Sequence, residues 1–188
     1  GAVLCPFLLN KGHYVRVIDT CYFGSDFLPK NNKNFDLVEG DIRDQDLLDK
    51  VLNNIEVVIH LACISNDASF VLDEELSTSI NLHAFEPLVL TSKKHKVRRF
   101  IYASSSSVYG VSEKKNVKED HPLVPLTLYN KYKGLCEPIL KKYIDESFEG
   151  VIFRPATVCG YSPRLRLDLS VNILTNHAIT NNLIKVFG

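Results

Sequence analysis

A tyrosine and a lysine four residues apart, Tyr129 and Lys133, are the side chains of this sequence best suited to chemistry. On a helix they would share one face, so that the ammonium group could approach the phenol. A phenol with its ordinary pKa of about 10 is a poor base at neutral pH unless a cation stabilises the phenolate. Four consecutive serines, at 104–107, lie upstream and offer hydroxyl groups to bind a substrate oxygen. This combination predicts proton abstraction from an alcohol.

A tyrosine and a lysine at this spacing also occur often on solvated helix faces, so the pair alone does not establish a site. Its context favours catalysis, because residues 99–103 are typical of a buried strand that leads directly into the serines. Open parallel sheets bind ligands at the carboxyl ends of their strands. A serine run can also be a flexible turn. Between an apolar strand and Val108, Tyr109 and Gly110, an ordered loop is the better prediction.

The charge balance argues against a nucleic-acid-binding protein. The chain has 22 basic and 22 acidic residues, and its one dense basic cluster, at 93–99, is typical of a helix end that complements the helix dipole. No apolar segment reaches the ~18 residues of a membrane span, and no signal peptide is visible. The sequence therefore predicts a cytoplasmic protein without nucleic-acid or membrane partners.

The five cysteines are widely spaced and include no Cys-Xaa-Xaa-Cys pair. This pattern predicts reduced, mostly buried thiols. His60 and Cys63 could suggest a metal pair, but they end an apolar strand and have no second pair nearby in the sequence. No metal site is expected.

Apolar segments alternate with amphipathic ones along the whole chain, which predicts one α/β domain over residues 1–188 with a mainly parallel sheet. Strands are expected at 14–19, 36–39, 57–62, 99–103 and 151–155, and a last one at 184–187. Helices are expected at 2–10, 45–52, 74–94, 128–148 and 169–181. Tyr129 and Lys133 thus fall on a helix, and the serines on the loop after a strand.

The chain resembles the extended short-chain dehydrogenase/reductase family, in particular its NAD-dependent sugar-nucleotide epimerases and dehydratases, among them the UDP-glucose 4-epimerases. The resemblance covers nearly all 188 residues and depends on the order and spacing of several motifs. It implies a Rossmann-like, doubly wound parallel sheet, NAD as the cofactor and a nucleotide sugar as the substrate. The motifs are Gly1, Asp19, Gly-Asp-Ile-Arg-Asp at 40–44, His-Leu-Ala at 60–62, the serines with Val-Tyr-Gly, Tyr129 with Lys133, and Arg-Pro-Ala-Thr-Val-Cys-Gly at 154–160.

Asp19 ends a predicted strand and is placed to accept hydrogen bonds from the adenosine ribose hydroxyls. Its charge would repel a 2′-phosphate, so NAD is expected rather than NADP. The alternative is a solvated aspartate at a strand end. The resemblance implies adenine contacts by Asp41 and Ile42, although their segment also reads as a turn and a helix cap. It implies further cofactor contacts by Leu61, Ala62, Tyr129, Lys133 and Pro155.

Gly1 matches the last glycine of the dinucleotide-binding fingerprint, which lets a helix pack closely on the sheet. On this interpretation the first strand and the earlier glycines lie outside the chain, as does most of the substrate lobe. In the usual strand order, 3-2-1-4-5-6, that first strand would sit between the strands that end at 19 and 62. The 188 residues alone are then expected to be inactive.

The resemblance makes Tyr129 the general base. It makes Lys133 the residue that lowers the pKa of the base and holds the nicotinamide ribose, and Ser105 the residue that binds the reacting hydroxyl. Oxidation at C4 of the sugar would give a 4-keto intermediate, and return of the hydride to its other face would give the epimer. Ser106 and Ser107 stand where related dehydratases have an acidic pair, which disfavours dehydration.

Substrate contacts are implied for five residues: Ser105, Ser106, Ser107, Thr157 and Asn172. Thr157 stands where many epimerases have a substrate-contacting asparagine, so the sequence departs from the family pattern at this position. For Asn172 a contact with the nucleotide diphosphate and a polar surface position are equally expected.

Three functions remain open. A nucleotide-sugar 4-epimerase with tightly held NAD is the first choice, a sugar-nucleotide reductase or dehydrogenase the second, and a non-catalytic NAD-binding scaffold the third. The sequence does not identify the sugar or the nucleotide of the substrate, because the residues that select them belong mostly to the substrate lobe. The oligomeric state is not determined, although the resemblance allows a homodimer.

Overall fold

The computed structural model describes residues 1–65 and 67–185 and contains both helices and strands. Its strands are β1 (Val15–Asp19), β2 (Phe35–Glu39), β3 (Val57–His60), β4 (Arg99–Ala103) and β5 (Glu149–Phe153). Its helices are α1 (Leu4–Asn10), α2 (Gln45–Val51), α3 (Asp67–Phe70), α4 (Glu74–Thr78), α5 (Phe85–Lys94), α6 (Leu128–Tyr143) and α7 (Ser170–Asn181). A π-helical turn (Ser79–His83) lies between α4 and α5, and a 3-10 turn (Ser106–Tyr109) follows β4.

The strands form two sheets. β1 pairs with β2, and β3, β4 and β5 pair in that order. The second sheet is parallel, with Ile59 opposite Ile101 and Ile101 opposite Val151. The predicted α/β class with parallel strands is therefore confirmed. Within the described residues no ladder joins the two sheets.

The chain divides into two compact units, one of residues 18–20 and 39–156, and one of residues 1–17, 21–38 and those from 157 onward. In the unit that includes residues 1–17 and 21–38, the core contains Cys5, Leu9, Val15 and Phe35. In the unit that includes residues 39–156, the core is aromatic. Phe85, Phe100 and Tyr102 are almost completely buried, with ring centroids 4.6 Å apart for Phe85 and Tyr102.

The alternation of buried and half-buried residues along β4 places Phe100 and Tyr102 on the face that meets Phe85 of α5. On the neighbouring strand, Gly150 leaves room for the end of α6. A Cβ atom there would lie 2.5 Å from the Cδ1 atom of Ile144 and 3.2 Å from the Cγ atom of Leu140.

The predicted helix at 128–148 ends earlier, at Tyr143. Ile144 adopts an extended conformation, and the carboxylate of Asp145 accepts hydrogen bonds from the backbone N–H groups of Ser147 and Phe148 at 2.9 and 3.0 Å. Such an Asx turn offers the backbone an alternative to the helix. The strand β5 then begins at residue 149, two residues earlier than predicted.

Other observed helix and strand boundaries also differ from the predicted ones. The expected helix at 74–94 is divided by the π-helical turn, and the strand expected at 57–62 ends at His60. The short helix α3 and the 3-10 turn were not predicted. In the strand expected at 184–187, residues 184 and 185 have no regular structure, and the rest lies outside the described residues.

Candidate active site

The four serines form an ordered turn at the carboxyl end of β4. The backbone N–H groups of Ser104 and Ser106 donate to the carbonyl oxygens of Phe153 and Pro155 at 2.9 and 3.0 Å, which continues the β4–β5 contact beyond the strands. The Oγ atom of Ser105 accepts a hydrogen bond from the N–H of Ser107 at 3.1 Å and so caps the 3-10 turn. The serines therefore form the ordered loop that was predicted, rather than a flexible turn.

Gly110 ends this turn in a backbone conformation, φ 67° and ψ −144°, that favours glycine. A Cβ atom at this position would lie 2.0 Å from the carbonyl oxygen of Val124. A larger residue would therefore push the segment around Val124 away from the serine turn.

Helix α6 presents Tyr129 and Lys133 on one face, as predicted. Its first turn is capped by Thr127, which accepts a hydrogen bond from the N–H of Asn130. Lys133 is only 6% exposed, and its Nζ atom donates to the carbonyl oxygen of Ala103 at 2.8 Å. The same Nζ atom lies 5.9 Å from the ring centroid of the half-buried Tyr129.

Three consecutive residues at the end of β4 bond to α6. Besides the bond between Lys133 and Ala103, the Tyr102 hydroxyl donates to the carbonyl oxygen of Lys133 at 3.2 Å, and the Ser104 hydroxyl donates to a carboxylate oxygen of Glu137 at 2.7 Å. The turn at 106–109 packs against the same helix. Ser105, which directly follows Ser104, is thus held next to the helix that carries Tyr129.

Asn81, which lies in the π-helical turn, was not predicted as a site residue. Its side-chain amide accepts from the N–H of Ile64 at 2.9 Å and donates to the carbonyl oxygen of the same residue at 3.0 Å. Its own carbonyl oxygen accepts from the Cys136 thiol at 3.3 Å. Asn81 therefore fixes the loop after β3. The only sequence signal was a polar residue inside an otherwise ordinary amphipathic helix.

His60 is a neutral core residue. Burial, together with the nearby charge of Lys133, lowers the pKa of its imidazole to about 3. Among the described residues, no group of three or more His, Cys, Asp and Glu side chains could hold a metal ion. The cysteines are free, but only Cys5 and Cys136 are buried, so the prediction of mostly buried thiols was wrong.

The residues predicted at the adenine end of the cofactor have different environments. Asp19 is exposed at the carboxyl end of β1, and its carbonyl oxygen accepts from the N–H of Gly40. The backbone and guanidinium N–H groups of Arg43 donate to the Asp41 carboxylate, which lowers the pKa of that carboxyl. Ile42 is buried. The helix cap in this segment is Asp44, which accepts from the N–H of Leu47.

The chemistry of these groups fits a dinucleotide. Asp19 offers a carboxylate for ribose hydroxyls, the exposed Leu61 and Ala62 after β3 offer apolar surface for a ring, and Lys133 offers an ammonium group. Pro155 is half-buried and lies two residues beyond the end of β5, beside the serine turn at the carboxyl edge of the sheet. Parallel sheets bind nucleotides at this edge.

Three predicted site residues, Gly1, Thr157 and Asn172, belong to the other compact unit. Gly1 is exposed, and a Cβ atom there would make only ordinary contacts, at 3.7 Å and beyond, so its packing does not require glycine. Thr157 is exposed. The side-chain amide of Asn172 is buried, accepts from the N–H of Gly160 at 3.2 Å and donates to the carbonyl oxygen of Arg166 at 2.9 Å. The alternative of a polar surface position was therefore wrong for Asn172.

Comparison with known proteins agrees with this arrangement. The sequence profile of the NAD dependent epimerase/dehydratase family matches residues 1–186. The chain belongs to this family. The structure of a UDP-glucuronic acid 4-epimerase from Bacillus cereus in complex with NAD superimposes with a TM-score of 0.84 at 30% identity, covering 100% of this chain and 62% of that one.

Two curated relatives illustrate the range of the family. The UDP-glucose 4-epimerase of Bacillus subtilis is 28% identical over 186 residues, which is 94% of this chain and 55% of the relative. The human dTDP-D-glucose 4,6-dehydratase is 31% identical over 134 residues, 69% of this chain and 38% of the relative. The chain thus spans about half the length of such relatives or less.

Family membership confirms the predicted Rossmann-like α/β fold and the prediction of NAD as the cofactor. It does not separate epimerases from dehydratases, since both are among the relatives. None of the helices in the described part of the chain is long and apolar enough to cross a membrane.

Proposed function

We propose that this chain is the NAD-binding part of a nucleotide-sugar epimerase that oxidises and re-reduces C4 of the sugar. One observation carries the proposal. The ammonium group of Lys133 is held 2.8 Å from the carbonyl oxygen of Ala103, two residues before Ser105, and 5.9 Å from the ring of Tyr129. The proposed base Tyr129 and the cation of Lys133 therefore lie on one face of α6, and the hydroxyl group of Ser105 lies just after the end of β4.

Tyr129 would remove the proton from the 4-hydroxyl of the sugar, while Ser105 binds the oxygen. Ionising a phenol at neutral pH costs about 4 kcal/mol, because its usual pKa of about 10 lies about three units higher. An ammonium group about 6 Å away contributes about 3 kcal/mol at an effective dielectric constant of about 20. The Nζ atom of Lys133 lies at this range from the ring centroid of Tyr129, so its charge would contribute a large part of the stabilisation that the phenolate needs.

NAD, when bound, would accept the hydride from C4 and return it. Asp19 would bind the adenosine ribose hydroxyls, and Lys133 a ribose hydroxyl next to the nicotinamide. Leu61 and Ala62 would cover apolar surface of the cofactor and exclude water from it. Asp41 and Ile42 would contact the adenine.

An epimerase is favoured over a dehydratase by the serine turn. Elimination of water across C5 and C6 needs a carboxylic acid and a base, and Ser106 and Ser107 stand at the positions where related dehydratases have them. Neither hydroxyl is a useful acid or base near neutral pH. Reversible oxidation at one carbon, with NAD as the hydride acceptor, needs only Ser105, Tyr129 and Lys133 among the side chains.

The test is isotopic and uses the whole protein with a panel of nucleotide sugars labelled with deuterium at C4. An epimerase takes the hydride from C4 and returns it to C4 within one cycle, so the product should retain the label at C4 while bulk NAD stays oxidised. The Tyr129→Phe variant is the negative control. Label lost to the nicotinamide pool, with one reduced cofactor formed per sugar consumed, would reject epimerisation and identify a reductase or dehydrogenase.

A further inference from the structure

A buried ion pair lies one helical turn beyond Lys133. Glu137 of α6 is 1% exposed, and its carboxylate accepts from the Nε and Nη2 atoms of Arg154 at 2.9 and 2.6 Å. Its Oε1 atom also accepts from the Ser104 hydroxyl at 2.7 Å. Burial opposes ionisation of Glu137, but the bonds from Arg154 and Ser104 outweigh it, so that the pKa of this carboxyl lies below its usual value.

Arg154 extends the network to two further segments. Its Nη1 atom donates to the Tyr109 hydroxyl at 2.6 Å and to the carbonyl oxygen of Glu119 at 3.0 Å. The guanidinium is planar and presents its N–H groups in a fixed fork. One side chain therefore sets the relative positions of α6, the 3-10 turn and the loop at 119.

The network touches the backbone on both sides of the serine turn. Ser104 directly precedes Ser105, and Arg154 directly precedes Pro155, whose carbonyl oxygen accepts from the N–H of Ser106. Because Glu137 follows Lys133 by four residues, the two side chains share a helix face. They bond to Ser104 and Ala103, which are neighbours in the chain.

Stability alone does not account for such a pair. Removing two charges from water takes several kcal/mol per ion, and replacement of buried pairs by apolar residues is often neutral or stabilising. A buried, fully bonded pair does fix geometry, and a misplacement of about 1 Å near reacting groups lowers rates by up to about 100-fold. The position of this pair beside the serine turn makes geometry its main contribution.

We propose that the Glu137–Arg154 pair positions the active site by setting the register of α6 against the end of β4, and with it the placement of Tyr129 relative to Ser105. This inference rests on the function proposed above. The two residues act through Lys133 and the serine turn and are positioning residues, with no contact to the substrate required.

The chain supplies a matched control. Arg99 and Glu149 also form an ion pair, with an Nη2–Oε2 distance of 2.6 Å. This pair is partly exposed to solvent and lies at the opposite end of β4 and β5. Exposed pairs contribute about 0–1 kcal/mol. Substitutions there repeat the chemistry without touching the serine turn.

The experiment compares Arg154→Lys and Glu137→Gln with Arg99→Lys and Glu149→Gln in the whole protein. We expect the first two to lower kcat at least about ten-fold, with KM for the nucleotide sugar changed by less than about two-fold. The two control variants should keep kcat within about two-fold of the original value. The double variant Glu137→Met/Arg154→Leu should recover thermal stability but not kcat.

A second readout separates this inference from the proposed function. The titration of Tyr129 can be followed by NMR with 13C-labelled tyrosine, with the signal assigned by Tyr129→Phe. The Arg154→Lys substitution should move this titration, whereas Arg99→Lys should not. If no nucleotide sugar is converted, the proposed function fails while the titration still tests positioning.

Two results would overturn the positioning role. One is an unchanged kcat and an unchanged Tyr129 titration in folded Arg154→Lys with only its melting temperature lowered. The other is full recovery of kcat in the apolar double variant. If the larger substitutions prevent folding, Tyr109→Phe removes a single hydrogen bond of the network, and the same two readouts decide.

Discussion

The Nζ atom of Lys133 and the carbonyl oxygen of Ala103 are 2.8 Å apart at the point where β4 ends. A buried ammonium group must be hydrogen-bonded, and a carbonyl oxygen satisfies it without neutralising its charge. The field of that charge therefore acts on Tyr129, whose ring centroid is 5.9 Å away. A carboxylate in the place of the Ala103 carbonyl would cancel much of it.

Substitution of Tyr129 by phenylalanine should lower turnover at least about 100-fold, since this is the lower range for loss of a general base. Cofactor binding should persist, because the ring remains. Tyr132→Phe is the control, since that phenol has other partners: its ring packs against Phe70 with the centroids 5.5 Å apart, and its hydroxyl lies 3.4 Å from the Thr78 hydroxyl. Steady-state kinetics and NAD titration of the whole protein measure both quantities. Near-normal turnover in Tyr129→Phe would show that another group is the base.

Lys133→Ala should damage both turnover and cofactor binding. The substitution removes the cation beside Tyr129 and the bond to Ala103. Lys131, an exposed neighbour on α6, provides the control Lys131→Ala. Calorimetric titration with NAD and kinetics with the nucleotide sugar would measure the two losses. If Lys133→Ala bound NAD normally, the ribose contact would be wrong.

The exposed carboxylate of Asp19 should make the whole protein prefer NAD to NADP. Like charges repel, so the 2′-phosphate of NADP is disfavoured next to it. Asp19→Ala should weaken the preference, whereas Asp26→Ala, at a fully exposed position in the loop after β1, should not. Comparable dissociation constants of the unsubstituted protein for both cofactors would contradict this assignment.

The sequence predicted the secondary structure around the candidate site well, because local patterns determine it. β4 was predicted with the observed bounds, and Tyr129 and Lys133 share a helix face as their spacing requires. The contacts that fix this geometry come from distant parts of the chain. Glu137 and Arg154 are 17 residues apart, and Asn81 bonds to Ile64. No local pattern identifies such partners, because the helical pattern of the sequence does not show whether a glutamate is buried or exposed.

Two glycines should respond in opposite ways to alanine. In Gly110→Ala the new Cβ atom would lie 2.0 Å from the Val124 carbonyl oxygen, and φ is 67°, so we expect a loss of about 1–3 kcal/mol. In Gly134→Ala the nearest atoms would be 3.8 Å away, and alanine favours the helix by about 1 kcal/mol. Denaturant unfolding of both variants checks the contrast. A stabilised Gly110→Ala would mean that the serine turn tolerates a different backbone conformation.

The buried imidazole of His60 should make the stability of the fold depend on pH. Its pKa falls from 6.5 to about 3 because it is buried among Phe85, Phe100 and Tyr102 and lies near the charge of Lys133. Between these values the unfolded chain binds a proton that the native state does not, so the free energy of unfolding decreases as the pH falls. The slope from this residue is about 1 kcal/mol per pH unit.

The His60→Phe variant keeps an aromatic ring in the cluster and removes the titration. Its free energy of unfolding should therefore vary less between pH about 6.5 and about 5, a range above the usual pKa values of Asp and Glu. His13→Gln, which replaces an exposed histidine, is the control substitution. Denaturant unfolding at several pH values gives both slopes. If His60→Phe and the unsubstituted protein had equal slopes, His60 would titrate alike in the folded and unfolded states, and burial would not be keeping it neutral.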